Sequence, residues 1–259
     1  MKQIIPVVSG KGGVGKSTVA VNLAVALAAQ KKRVALIDAD FYGPSVPILL
    51  GGGEIRSVEE NKLIPPERFG VRFVSISFFL EDPDTPVIWR GPMLHKAMQQ
   101  RFADVAGGEI DYCIVDMPPG TGDAQISLSQ LASLTGAVVV TTPQEVAAAD
   151  VRKAINMLRT IKVEVLGIVE NMAGFVAPDG TRHDIFGAGG GEKMAEQFGV
   201  PLLASIPLDA RIRESGDRGL PAAAEPDKAL GPLFSALALK LIGILDKKPR
   251  NKPSLRVVE

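Results

Sequence analysis

Gly10-Lys11-Gly12-Gly13-Val14-Gly15-Lys16-Ser17-Thr18 packs four glycines, two lysines and two hydroxyls into nine residues. The glycines let successive backbone N–H groups turn inward around an anion, with no Cβ in the way. The pattern G-x-x-x-x-G-K-[ST] is complete from Gly10 to Ser17, and it lies between an apolar strand-like run and a helical one, the context it requires. A helix starting near Lys16 adds the positive end of its dipole. Lys16 offers a point charge to the β- and γ-phosphates of a nucleotide, and the Ser17 hydroxyl a ligand to Mg²⁺. Gly12, Gly13, Val14, Gly15, Lys16, Ser17 and Thr18 are the candidate nucleotide-binding residues. The plain alternative is a glycine-rich turn joining strand to helix, and every matched position counts against it.

Two runs end in carboxylates. Ala35-Leu36-Ile37-Asp38-Ala39-Asp40 closes one apolar segment and Cys113-Ile114-Val115-Asp116 another. A carboxylate just past a buried strand sits at the edge of a sheet where ligands bind. Asp116 fits a residue that holds Mg²⁺ through water, and Asp38 is a second candidate metal group. Asp40 fits a residue that orients the attacking water. The plain alternative for each is a cap or loop residue. Guanine recognition usually uses Asn-Lys-x-Asp; Asn61-Lys62-Leu63-Ile64 lacks the aspartate, so the pattern favours ATP and Mg²⁺.

These groups need a scaffold that brings strand ends together. Apolar runs at 4–8, 33–37, 71–76, 112–115, 137–141, 163–169 and 202–206 predict strands, mostly buried on both faces. Helical patterns cover 16–30, 92–105, 125–131, 147–160, 192–198 and about 228–245. The alternation implies an α/β fold: a mostly parallel sheet of about seven or eight strands flanked by helices on both faces. Residues 1–246 are expected to form one ATPase domain, followed by a basic, solvated tail over 247–259. Gly51-Gly52-Gly53 with residues 54–62 reads as a mobile flap.

The chain has 259 residues, 46% hydrophobic and 22% charged, with Lys+Arg and Asp+Glu both at 29. This balance leaves no global field to attract nucleic acid or an anionic membrane. The single cysteine, Cys113, rules out a disulfide within the chain. Neither a signal peptide nor an uncharged apolar run of about 20 residues is visible. A cytoplasmic location is expected, without stable membrane association. The closing segment 233–245 carries only Lys240 as a charge, so it is expected to pack on the sheet rather than bind a membrane.

The second lysine, Lys11, in K-G-G-x-G-K-[ST] resembles the deviant phosphate loop of the MinD/ParA/nitrogenase-iron-protein class. Further blocks are similar to the Mrp/ApbC family: residues 37–45, Trp89-Arg90-Gly91-Pro92-Met93, residues 116–123, Glu170-Asn171-Met172 and residues 185–191. The resemblance implies a homodimeric ATPase that carries or helps assemble iron–sulfur clusters, with assembly or client proteins as partners. In it Lys11 reaches the phosphates bound to the partner subunit, making Lys11, Lys16 and Asp40 the catalytic set. Asn171, Pro207 and Asp209 surround adenine. One departure matters. Many members carry Cys-x-x-Cys shortly after Asn-Met, and two subunits share a cluster through those thiolates. Here the stretch is Ala173-Gly174-Phe175-Val176-Ala177-Pro178-Asp179-Gly180-Thr181-Arg182-His183-Asp184, which has no cysteine and argues against cluster carriage by the usual site. His183 with Asp179 or Asp184 offers only a weak metal-ligand set, against a polar loop as the plain reading.

Overall fold

A computed structural model describes residues 1–40, 43–53, 56–58, 62–79, 109–120, 122–225, 228 and 230–248. Seven strands run parallel in one sheet: β1 (Gln3–Ser9), β2 (Val34–Asp38), β6 (Val71–Ser75), β7 (Tyr112–Asp116), β8 (Ala137–Thr141), β9 (Val165–Asn171) and β12 (Leu202–Ile206). Their spatial order, with the two-residue antiparallel edge β5 (Glu67–Arg68), is β12-β9-β8-β1-β7-β2-β6-β5. After β1 the chain moves one way to β2 and β6. It then returns to insert β7 beside β1, and continues on the far side through β8, β9 and β12. Loops following β1 and β7 therefore meet at the carboxyl edge where the order reverses, the usual ligand position in such sheets.

The strands alternate between two cores. Ile5, Val7, Leu36, Ile114, Val138 and Val140 face one side, where helix α1 (Lys16–Ala29) lies. Ile4, Val8, Ile37, Val115, Ala137 and Val139 face the other. Burial on both faces explains why the strands read as continuous apolar runs.

Helix α1 is covered nearly all round, since Val19 to Leu27 are all buried. Its small apolar residues suit a helix pressed between the sheet and a second helix. That second helix spans Gly231–Asp246 and buries Phe234, Leu237, Ala238 and Leu241. The expected packing of the closing segment therefore holds. Among the described residues no helix is long and apolar enough to cross a membrane.

Three helices form the opposite face and match their sequence patterns: Asp123–Leu131, Glu145–Thr160 and Gly190–Phe198. The expected helix over 92–105 and the Trp89–Met93 block lie outside the described residues, as does the tail from residue 249.

Two short helices were not expected. Val46–Leu49 is a single turn, and Ala210–Asp217 is rich in charge, so neither shows apolar periodicity. The expected flap is in part a two-stranded antiparallel hairpin, β3 (Arg56–Val58) with β4 (Lys62–Ile64). Its three-residue strands are too short to read from alternation.

Asn22 is a polar residue buried in the middle of α1. Asn22 donates to the Thr18 carbonyl at 2.8 Å and accepts from the Ala223 N–H at 2.9 Å, tying α1 to the turn at Ala222–Ala224. Asn22→Leu keeps the branched outline, with somewhat more bulk, but leaves the buried Ala223 N–H without an acceptor. It is expected to cost about 1–3 kcal/mol, read as a lower urea midpoint at unchanged m-value.

Candidate functional site

β1 delivers the chain into the phosphate loop at its carboxyl end. Gly13 and Gly15 both adopt left-handed backbone, at φ 80° and 79°, which turns successive N–H groups toward one side. Gly15 ends the loop and α1 begins at Lys16. The loop leaves no room for a side chain at Gly10: a Cβ there would lie 2.3 Å from the Asp150 backbone. Val14 is buried, and its carbonyl accepts from Asn171 Nδ2 at 2.9 Å.

Lys16 is 6% exposed and points at carboxylates. Its Nζ lies 2.6 Å from Asp116 Oδ1 and 3.7 Å from Asp40 Oδ2, and it donates to Ser17 Oγ at 3.2 Å. The sequence separates these groups by up to 100 residues; the parallel pairing of β2 with β7 puts Asp38 directly beside Asp116 and Asp40 just beyond. Asp116 is fully buried, and its Oδ2 has no hydrogen-bond partner among the described residues. A buried anionic oxygen of this kind, next to the Ser17 hydroxyl, fits a hard cation. Asp38 is different. Its Oδ1 accepts from the Asp40 N–H at 3.2 Å, and its Oδ2 accepts from the Val46 N–H at 3.3 Å and the Ser75 hydroxyl at 3.0 Å. Both oxygens already serve the loop that carries Asp40.

Burial, with the Asp116 charge as a second cause, pushes the Asp38 carboxyl up to about 8. Burial also raises Asp116, against the pull of the Lys16 ammonium.

The remaining expected residues gather at the same edge. Lys11 Nζ donates to Gln144 Oε1 at 3.0 Å, within its own chain. Asn171 ends β9 beside Ile206, and Pro207 follows directly. Asp209 caps the helix Ala210–Asp217, accepting from the Arg211 N–H at 2.8 Å and from its guanidinium at 2.9 Å. Asn171 thus spends its amide nitrogen on the phosphate loop.

Sequence reasoning missed Gln144, Ser75 and Gln125. Each is an uncharged polar residue with no motif around it: Ser75 closes β6, Gln144 precedes the helix Glu145–Thr160, and Gln125 lies in the first turn of the helix Asp123–Leu131.

The segment without cysteines forms a tight hairpin, β10 (Phe175–Val176) with β11 (Arg182–His183). Its tip is closed by the Ala177 N–H on the Thr181 carbonyl at 2.9 Å and the Thr181 N–H on Asp179 Oδ1 at 2.8 Å. Asp184 pairs with Arg182 at 2.9 Å and the His183 ring lies 6.4 Å from that of Phe175. Among the described residues no group of three or more His, Cys, Asp or Glu could hold a metal ion. Cys113 lies within β7 with no exposure, and burial pushes its thiol up to about 12.

A family model described as the NUBPL iron-transfer P-loop NTPase, of the ParA group, matches residues 1–242. The chain belongs to this family. An iron-sulfur cluster carrier protein of Deinococcus radiodurans is 53% identical, over 98% of this chain and 75% of that one. The fold matches a nucleotide-binding protein of Archaeoglobus fulgidus solved with ADP, at TM-score 0.73 and 40% identity, covering 90% of this chain and 92% of that one. It also matches the cell division ATPase MinD of Pyrococcus furiosus, at TM-score 0.70 and 24% identity, covering 94% of this chain and all of that one. The expected fold and the Mrp/ApbC resemblance are both borne out.

The raised Asp38 carboxyl has a consequence for stability. The folded chain keeps that proton between about pH 4 and 8, where the unfolded chain has released it, so stability falls as pH rises through this window. Asp38→Asn cannot ionise. Between about pH 5 and 8 the urea midpoint of the nucleotide-free variant is expected to fall less than that of the parent protein.

Proposed function

We propose that this chain is a Mg²⁺-dependent ATPase that works as a homodimer in the handling of iron–sulfur clusters, and that it holds no cluster of its own by the Cys-x-x-Cys route. Residues 1–246 are the working unit; just past them Lys248 pairs with Glu164 at 2.7 Å, so the expected solvated tail does not begin at residue 247. The observation that carries the ATPase reading is the Lys16 ammonium, buried between Asp116 and Asp40 at the mouth of a glycine loop that opens α1.

The roles follow from charge. The inward N–H groups of Gly12 to Thr18 and the start of α1 bind the phosphates. Lys16 exchanges its carboxylate partners for phosphate oxygens. Asp116 and Ser17 would hold Mg²⁺, which when bound neutralises charge building on the β- and γ-phosphates. Asp40, freed from Lys16, orients the attacking water. Asp38 joins the metal set only through solvent, because its oxygens already hold the Asp40 loop. The oxygen of Asn171 accepts from the exocyclic amine of adenine, with Pro207 and Asp209 beside it; a carbonyl in that place disfavours guanine.

Lys11 completes the site of the second subunit. Its bond to Gln144 pairs a charged donor with a neutral acceptor, worth about 1.5–3 kcal/mol, and a phosphate, which is itself charged, outcompetes it.

Cluster chemistry is the point of difference. A cluster site shared by two subunits uses several thiolates. The only thiol here is sealed within β7, and the 175–183 hairpin offers none. The chain then serves cluster assembly as a nucleotide switch acting on partner proteins. The name given to its Deinococcus relative favours carriage instead. Anaerobic reconstitution with iron and sulfide decides between the two. The expected result is no retained iron and no charge-transfer absorption; a stable, coloured dimer overturns the cluster-free reading.

Four variants test the ATPase and dimer readings. Lys16→Ala is expected to abolish nucleotide binding or turnover. Asp40→Ala is expected to keep ATP binding while kcat falls on the order of 100-fold; unchanged turnover means another group orients the water. Gln144→Glu converts the Lys11 contact into an ion pair. It is expected to lower the ATP-dependent dimer fraction in light scattering, whereas Gln144→Leu leaves or raises it.

A further inference from the structure

Residues 117–122 connect Asp116 to the helix Asp123–Leu131 beside the phosphate loop, and the backbone N–H groups of the first four can be accounted for one by one. Pro118 and Pro119 have no N–H to give. The Met117 N–H donates to the Val7 carbonyl at 3.2 Å, and the Gly120 N–H to the Ser9 carbonyl at 3.0 Å. These two bonds extend the β1–β7 ladder past the end of the strands and lay the loop beside the phosphate loop. Gly120 takes φ 90°, a conformation that requires glycine. A Cβ on Gly12 would sit 3.9 Å from the Pro119 ring, so the two loops touch.

Two carbonyls of the same loop share one donor. Gln125 Nε2 donates to the Pro118 carbonyl at 3.2 Å and to the Gly120 carbonyl at 3.0 Å. Gln125 is 2% exposed, and its Oε1 has no partner among the described residues. The orientation of the amide follows from the loop. Flipped, it would press its oxygen against two carbonyl oxygens. As it stands, both N–H groups are used and a buried acceptor is left over, a cost that only the loop contacts offset.

We propose that Gln125 is a positioning residue for ATP turnover: its single amide nitrogen, bridging the Pro118 and Gly120 carbonyls, fixes the loop after Asp116 against the phosphate loop. The proposal rests on the ATPase reading above. Gln125 touches neither phosphate nor water in this role; it acts through the loop. It uses donors rather than bulk, which separates it from ordinary packing. Leucine has similar volume and no donor. Glutamate has the same shape and sets a carboxylate against two carbonyls.

The test compares Gln125→Leu and Gln125→Glu with the parent chain in steady-state turnover, ATP binding and amide hydrogen exchange. Since the prolines carry no amide proton, Gly120 is the informative amide of the loop, and Val7 in β1 reports the intact sheet. The expected result for both variants is a kcat at least about tenfold lower, ATP affinity within about threefold, faster exchange at Gly120 and unchanged exchange at Val7. A Leu variant with parental kcat or parental Gly120 exchange overturns the proposal. Equal losses of binding, turnover and Val7 protection overturn it too, as a merely structural role. If the parent chain itself turns over no ATP, the ATPase reading fails instead, and Gly120 exchange still shows whether Gln125 holds the loop.

Discussion

The structure depends on keeping one ammonium group buried among carboxylates at the end of a parallel sheet. Lys16 opens α1, yet its side chain is almost removed from water. Taking a charge out of water is costly unless it is paired at close range, and Asp116 at 2.6 Å pairs it. Much of the architecture serves that contact. Insertion of β7 between β1 and β2 brings Asp116 to the loop. The left-handed turn at Gly15 starts the helix at the next residue. The all-round burial of α1 fixes where its first turn lies. With both partners buried, the pair is a poor source of stability and a good place to store a response. In the reading proposed above, a phosphate at the loop competes for Lys16 and leaves Asp116 and Asp40 to other duties.

Much of this was legible in the sequence because parallel strands buried on both faces leave long apolar runs. All seven such runs became strands of the main sheet, and Asp38 and Asp116 fall on the last residue of theirs. The phosphate loop could be read because its glycines are fixed by sterics rather than by tertiary context. What stayed hidden depends on the approach of remote segments. Gln144 and Ser75 each bind a group from another part of the chain. An isolated glutamine or serine carries no pattern that announces such a partner. The helix at Ala210–Asp217 escaped notice because its cap, Asp209, precedes a charged stretch with no apolar period.

The same contrast separates two kinds of functional residue. Asp38 and Asp116 look alike in sequence, each closing an apolar strand, and they lie side by side in the sheet. Their surroundings divide them. Asp38 is surrounded by donors from the Asp40 loop, β6 and the helix at Val46, whereas one buried oxygen of Asp116 has no hydrogen-bond partner among the described residues. Position along a strand sets where a carboxylate stands, and the donors around it decide what remains for a ligand.

The placement of Cys113 reaches beyond cluster ligation. A thiol with no exposure, held far toward its protonated form, is closed to oxidants and to exchange with glutathione. Two copies of the chain then have no means of joining through sulfur. Any association between copies is then noncovalent, and air during handling should not lock them together.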